Sequence, residues 1–189
     1  MTSLSDLIKE ITNENLNLNT LHFKLQPLIA SVPASVKYHH NWTGGYQDHV
    51  RQVIEHALAM YDRFFSEEMS CPTCGKGKLI QRDCGFNRDD VILVAYIHDL
   101  DKLFRYKKLD KPKDGREWDY ARAPSYDESA KVAVMCAQSG ILLEDKHLEA
   151  LAMHHGGWSA NPNRDMSPLA VIIHSADLMS TYITNRKGD

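Results

Sequence analysis

Apolar residues along this chain recur mostly at three- and four-residue intervals, so the chain reads as helices joined by polar turns. Ser5 is placed to cap a first helix carrying Leu7, Ile8 and Ile11. Asn-rich TNENLNLN interrupts the pattern, and a second short helix follows over about Leu21 to Ala30, limited by Pro27. After Gly44-Gly45, the residues Val50, Val53, Ile54, Ala57, Leu58, Tyr61 and Phe64 form one buried stripe with His49 on its edge. Ser66 to Phe86 break the rhythm. CPTCGKGKLIQRDCGF is glycine-rich and turn-forming, and reads as an insertion between two helices. Asn87, with Asp90 three residues on, opens the next helix. VILVAYIHDLDKLF is apolar nearly all round, as a central helix must be.

Arg105 to Pro124 is polar, charged and broken by Pro112 and Gly115, which predicts a long loop. SYDE, ending at Glu128, approximates a capping box and opens a helix that ends near Gly140. LEDKHLEALAMHH makes a further helix stopped by Gly156-Gly157, and Ser167-Pro168 begins the last one, through LAVIIHSADLMSTYI. The pattern predicts an all-α fold in one domain over 1–189, with 66–86 as a Cys-rich insertion. A small hairpin, if any, is expected inside that insertion.

A length of 189 residues suffices to bury a real core, and 43% hydrophobic with 25% charged residues is a globular composition. No apolar run approaches the ~20 residues of a membrane span. The first residues, MTSLSDLIKEITNEN, lack the basic-then-apolar pattern of a secretory signal, so a cytoplasmic location is expected. A net charge of −3 argues against a general duplex-DNA binder. In a reducing compartment, cysteines serve as thiols or metal ligands. Cys71-x-x-Cys74-Gly looks like a zinc knuckle and Cys84-Gly85 like half of a second, three thiolates of a structural zinc site that needs a fourth ligand. Asp83, a histidine, Cys136 or a partner subunit is left to supply it, although Cys136 lies on an apolar helix face and is expected in the core.

The candidate chemistry is in the histidines. His98-Asp99 falls within the most apolar helix, where an unpaired carboxylate costs several kcal/mol. That stretch holds no arginine before Arg105, and a metal ion is the sharper partner. Asp177 is a second acid in an apolar helix, with His174 one turn before it on the same face. His49, His98, Asp99 and Asp177 make a mixed N/O set suited to Mn, Fe, Co, Ni, Mg or Zn.

The order His…His-Asp…Asp on successive helices resembles the HD superfamily of metal-dependent phosphohydrolases. HHNWTGGYQDHV resembles the segment with the first metal histidine, AYIHDLDK the HDIG-type motif with Asp101 in the glycine position, LAMHHGGWS the His-His-Gly stretch, and AVIIHSADLMS the closing helix. Pro33-Ala34 and His39-His40 place it nearest the 3′–5′ exoribonuclease branch. Two-metal members carry one more histidine where this chain has Tyr126 or Asp127. The resemblance implies an HD-domain helical bundle with a divalent metal on His49, His98, Asp99 and Asp177. His154 and His155 are then candidates for a second metal or for substrate phosphate. Asp99 and Lys102 would be catalytic, Lys102 neutralising phosphate charge while metal-activated water attacks phosphorus. His40, Arg51 and Arg105 are candidate substrate contacts, and Trp158 is placed to stack on a base. The basic stretch Arg105, Lys107, Lys108, Lys111, Lys113 and Arg116 would close over an anion.

The expected function is hydrolysis of a phosphate ester or anhydride of a nucleotide. The alternatives are a phosphodiesterase or 3′–5′ exonuclease on single-stranded nucleic acid or a cyclic nucleotide, and a non-catalytic module binding through the Cys-rich insertion. A homo-oligomer is left open. His22, His56 and His147 are assigned no role.

Overall fold

The computed structural model describes residues 2–65, 85–121, 128–156 and 165–184. Cys71, Cys74, Cys84, Tyr126, Asp127 and Trp158 lie outside the described residues, and so do the readings that rest on them. Seven helices are described: α1 (Leu4–Ile8), α2 (Asn19–Ile29), α3 (Gly45–Phe65), α4 (Arg88–Ile97), α5 (Glu128–Gln138), α6 (Asp145–Met153) and α7 (Pro168–Met179). Short 3-10 turns cover Glu14–Leu16 and Leu100–Phe104, and a π-turn, Ser180–Thr184, continues α7. No described helix is long and apolar enough to cross a membrane.

The helices begin where local chemistry directs. Asn87 and Asp90 form a reciprocal capping box at the start of α4, and the Ser167 side chain accepts from Ala170 N ahead of Pro168. Helix α1 differs from expectation. Ser3 caps it, Ser5 instead bonds His22, and the helix stops at Ile8, leaving Ile11 beyond it. Pro27 lies inside α2, which continues to Ile29.

Helix α4 is the central strut. Every residue from Val91 to Ile97 is at most 1% exposed. Its neighbour α3 sends Val50, Val53, Ile54 and Ala57 into the same core, and α7 adds Leu169, Ala170, Ile172, Ile173 and Ala176. Helix α3 packs on both α4 and α7, and α6 packs on α7. Phe64 is a correction: it is 63% exposed and lies off the stripe. Cys136 is fully buried, as its helix face predicts.

The expected loop after Arg105 is instead an antiparallel hairpin of β1 (Tyr106–Lys113) and β2 (Arg116–Tyr120). Tyr106 pairs with Tyr120 and Lys113 with Arg116, with a bulge between Lys108 and Lys113. Asp114 and Gly115 both have positive φ, 52° and 75°, as a two-residue I′ turn requires. The bulge accommodates Pro112, which cannot donate to the ladder. Asp-Gly between stretches holding Leu109 and Trp118 was the overlooked hairpin signal.

Candidate metal centre

His49 enters the core because α3 starts where it does. Gly44 takes φ +79°, and a Cβ on Gly45 would lie 2.0 Å from the His40 carbonyl oxygen. Only glycine permits that crossing. Tyr46 N then donates to Val32 O at 3.0 Å, and Trp42 Nε1 to Asp48 Oδ2 at 3.0 Å, tying the preceding loop to the helix. His98 and Asp99 are not within a helix, as expected from sequence, but at its end. His98 is the C-terminal cap of α4, and Asp99 precedes the 3-10 turn in a non-helical conformation. That change of direction turns both side chains toward α3 and α7.

Four donor atoms meet there. His49 Nε2 lies 3.3 Å from His98 Nε2, 3.3 Å from Asp177 Oδ1 and 3.5 Å from Asp99 Oδ2. His98 Nε2 and Asp99 Oδ2 are 3.4 Å apart. Donors held ~2.1 Å from one ion at the tetrahedral angle are about 3.4 Å from each other, so each of these spacings suits a shared divalent cation, and the ligand atoms of His49, His98 and Asp177 all lie within 4.8 Å of one another. A second group adjoins it: ligand atoms of Asp99, His154 and His155 lie within 4.8 Å of one another. His154 Nε2 is 3.9 Å from Asp99 Oδ1, and it is buried with no hydrogen-bond partner among the described residues.

The outer contacts select the tautomers. His98 Nδ1 is 2.8 Å from Ala95 O, and His154 Nδ1 is 2.6 Å from Leu151 O. A carbonyl only accepts, so each Nδ1 carries hydrogen and each neutral ring presents a bare Nε2 lone pair. His49 Nδ1 is 2.9 Å from Ser180 Oγ, which itself donates to Gln52 Oε1 at 3.0 Å. The hydroxyl therefore accepts from His49, whose Nε2 also points bare into the cluster. Lone pairs facing carboxylates at such distances repel, and a divalent cation or a proton between them relieves the repulsion.

The charges agree. Burial pushes the Asp99 carboxyl up, but Lys102 and His98 outweigh it and hold it well below the usual carboxylate range. Asp177 shows the same contest: burial raises it, and the neighbouring His49 and His98 imidazoles lower it further than burial raises it. Burial opposes charge on His98, while Asp99 and Asp177 raise its pKa overall. Lys102 Nζ is 2.5 Å from Asp99 Oδ2, and this pairing raises the ammonium pKa against the opposing effect of burial. Burial and then the His155 charge push His154 down to about 3, which leaves a neutral imidazole to donate.

Beside the cluster opens a cavity of about 480 Å³, lined by Lys102 and Asp177 at the donor set and by His39 and His155. This is an ordinary size for a small-molecule site. The structure distributes the other candidates unevenly. His40, a candidate substrate contact, is instead fully buried, in the left-handed region at φ 46°, with Nε2 on Gln52 Oε1 at 3.0 Å. Arg51 pairs with Glu55 at 2.7 Å, and Arg105 pairs with Asp101 and Glu128, so neither guanidinium is turned to the cavity. His174 holds His154 O at 2.7 Å from its Nδ1. His147 bonds Asp90 at 2.7 Å, and His22 bonds Tyr96 at 3.1 Å. Sequence reasoning missed Ser180 and Gln52, which orient His49, and Tyr38 and Tyr182 on the cavity wall; no local spacing marks any of them.

A mostly helical bundle with a buried His/Asp donor set beside a lysine defines a metal-dependent phosphohydrolase. The HD domain family model matches residues 46–182, and the chain belongs to that family. Over 202 aligned residues the chain is 26% identical to a dihydroneopterin 2′,3′-cyclic phosphate phosphodiesterase of Methanocaldococcus jannaschii, an alignment covering 98% of this chain and 70% of the relative. No solved structure gives a significant match. HD domains bind divalent metals, and the His/Asp clusters described above are where this chain has donors for one.

Proposed function

We propose that this enzyme hydrolyses a phosphodiester in a nucleotide-sized molecule, with a small cyclic phosphate as the favoured substrate. The observation that carries the proposal is the meeting of His98, Asp99 and Asp177 around His49, beside Lys102 and a cavity of about 480 Å³. Similarity to a phosphodiesterase of a cyclic phosphate supports the diester over the anhydride.

In this reading His49, His98, Asp99 and Asp177 hold the ion, with His154 and His155 as donors to a second ion or to the phosphate. A divalent metal supplies Lewis acidity there, activating water and withdrawing charge from a phosphoryl oxygen. Lys102 lies on the cavity wall with its ammonium fixed by Asp99, and it meets the phosphate anion. Water adds to phosphorus, one ester P–O bond breaks, the ring opens, and a phosphomonoester remains. His155 is exposed at the cavity, and it or His39, which lines the same cavity, is placed to give a proton to the leaving oxygen.

The exonuclease reading has less support, because Arg51 and Arg105 are already paired and the cavity has nucleotide dimensions rather than those of a strand-length groove. The likeness to the exoribonuclease branch and the zinc knuckle of Cys71, Cys74 and Cys84 remain proposals from sequence. Zinc analysis of the metal-washed protein against a Cys71→Ser variant tests the latter.

Turnover of nucleoside 2′,3′-cyclic phosphates, 3′,5′-cyclic phosphates and nucleoside di- and triphosphates in Mn²⁺ tests the function, with Asp99→Asn as control. Ring opening by the wild type and a loss of about a thousandfold in the variant is the expected outcome, since metal-assisted charge stabilisation amounts to several kcal/mol. Release of inorganic phosphate or pyrophosphate without any ring opening would replace the diester with an anhydride.

A further inference from the structure

Two tyrosines that play no part in the chemistry stand on the cavity wall. Tyr38 is 80% exposed and Tyr182 is 79% exposed, and both line the same cavity as Lys102 and Asp177. Large aromatic side chains bury most of their surface in folded proteins, so two bare rings at one opening are unusual. They come from opposite ends of the chain. Tyr38 lies in the loop before α3, and Tyr182 in the π-turn after α7.

Their backbones are fixed although their rings are exposed. Ser35 Oγ accepts from Tyr38 N at 3.0 Å and from Lys37 N at 3.3 Å, a local turn that sets the chain direction at Tyr38. The next residue, His39, lies with its ring 4.9 Å from that of His49. The π-turn is anchored by Ser180, which is fully buried against His49 and Gln52, and by Thr181, whose hydroxyl donates to Asp177 Oδ1 at 3.4 Å. Each tyrosine is thus tethered within a few residues of the donor set. Isolated π-turns of this kind recur at functional sites.

Resting on the phosphodiesterase reading, we propose that Tyr38 and Tyr182 clamp a planar nitrogen heterocycle, a nucleobase or a pterin, joined to the phosphodiester that lies against Lys102. A π-face suits either ring, and base–aromatic contacts tolerate many heterocycles. Phosphate chemistry would then be common to many esters, and the tyrosines would choose those that carry a ring.

The test compares kcat/KM for adenosine 2′,3′-cyclic phosphate, a pterin 2′,3′-cyclic phosphate and ringless glycerol 1,2-cyclic phosphate, all with the Mn²⁺-loaded protein. The preference for a ring-bearing over the ringless ester should fall about tenfold or more in Tyr38→Ala and in Tyr182→Ala, mainly through KM, and should survive in the Phe variants. Loss of preference for adenosine but not for the pterin, or the reverse, identifies which ring the clamp serves. An unchanged preference in the double Ala variant overturns the proposal. If the wild type turns over no ester, the phosphodiesterase reading fails by itself, and calorimetric binding of adenosine and neopterin decides the clamp. Binding weakened about tenfold by either Ala substitution supports it, and binding equal in wild type and double variant, or absent from both, rejects it.

Discussion

Ser180→Ala isolates one step of the metal-site reasoning. The hydroxyl accepts from His49 Nδ1 at 2.9 Å and donates to Gln52 Oε1 at 3.0 Å, and Ser180 is fully buried. Alanine fits the space but leaves a buried N–H without its acceptor, which costs ~1–3 kcal/mol. The ring is then free to rotate or to exchange tautomers, so Nε2 no longer points bare at Asp99 and Asp177. Removing an outer-shell partner of a metal-binding histidine typically lowers metal affinity by about 10- to 100-fold, or roughly 1.4–2.7 kcal/mol. Calorimetric titration of the metal-free protein with Mn²⁺ at fixed pH reads the affinity, and urea unfolding without metal reads the folding cost. The expected result is a dissociation constant raised by that factor, with activity largely restored at saturating Mn²⁺. Unchanged Mn²⁺ affinity would refute the reasoning, because either Ser180 does not set the ring or His49 Nε2 is not a ligand.

Further outcomes follow from the same contacts. Gly45→Ala would force a methyl to 2.0 Å from the His40 carbonyl, and should cost about 3 kcal/mol or more, against about 1 kcal/mol for Gly140→Ala, where a Cβ meets open space at φ +82°; equal losses in urea unfolding would contradict the close crossing. Asp90 accepts from His147 at 2.7 Å and from Lys146 at 3.0 Å, and these partners with the Asn87 amide lower its pKa despite the opposing effect of burial. A depressed folded pKa gives stability that is present above the unfolded value of about 3.9 and is lost as pH falls through the folded value. The wild type should therefore lose more stability than Asp90→Asn between pH 5 and pH 2.5 by about 1 kcal/mol, and parallel acid limbs in chemical unfolding would remove Asp90 from the account. Mn²⁺ at a hundred times its dissociation constant should stabilise the fold by about 2.7 kcal/mol and raise Tm by roughly 5–10 °C, reversed by a chelator; a Tm insensitive to both would mean that the cluster does not hold the ion in the native state.

Much of this protein was readable where physics is local. The Asn87–Asp90 box and Ser167-Pro168 needed only neighbours along the chain, and the stripe from Val50 to Leu58 needed only the helical period. The same locality exposed the anomaly of acids at Asp99 and Asp177 inside apolar stretches, and with it the donor types of the candidate centre. Local reading also misled. Charge and a proline concealed the hairpin around Asp114-Gly115, and the apolar run through His98 concealed the end of α4. Free-looking arginines at 51 and 105 proved to be tied to Glu55, Asp101 and Glu128.

The packing of α3, α4 and α7 decided the rest. It set His49 within 3.3–3.5 Å of His98, Asp99 and Asp177, gave His49 a hydroxyl partner 131 residues further along the chain, and brought Tyr38 and Tyr182 to one cavity. Helical periodicity states which face of a helix is buried, but not which atoms of another helix will meet it. That depends on how side chains interlock across the whole core, and no spacing within a single helix contains it.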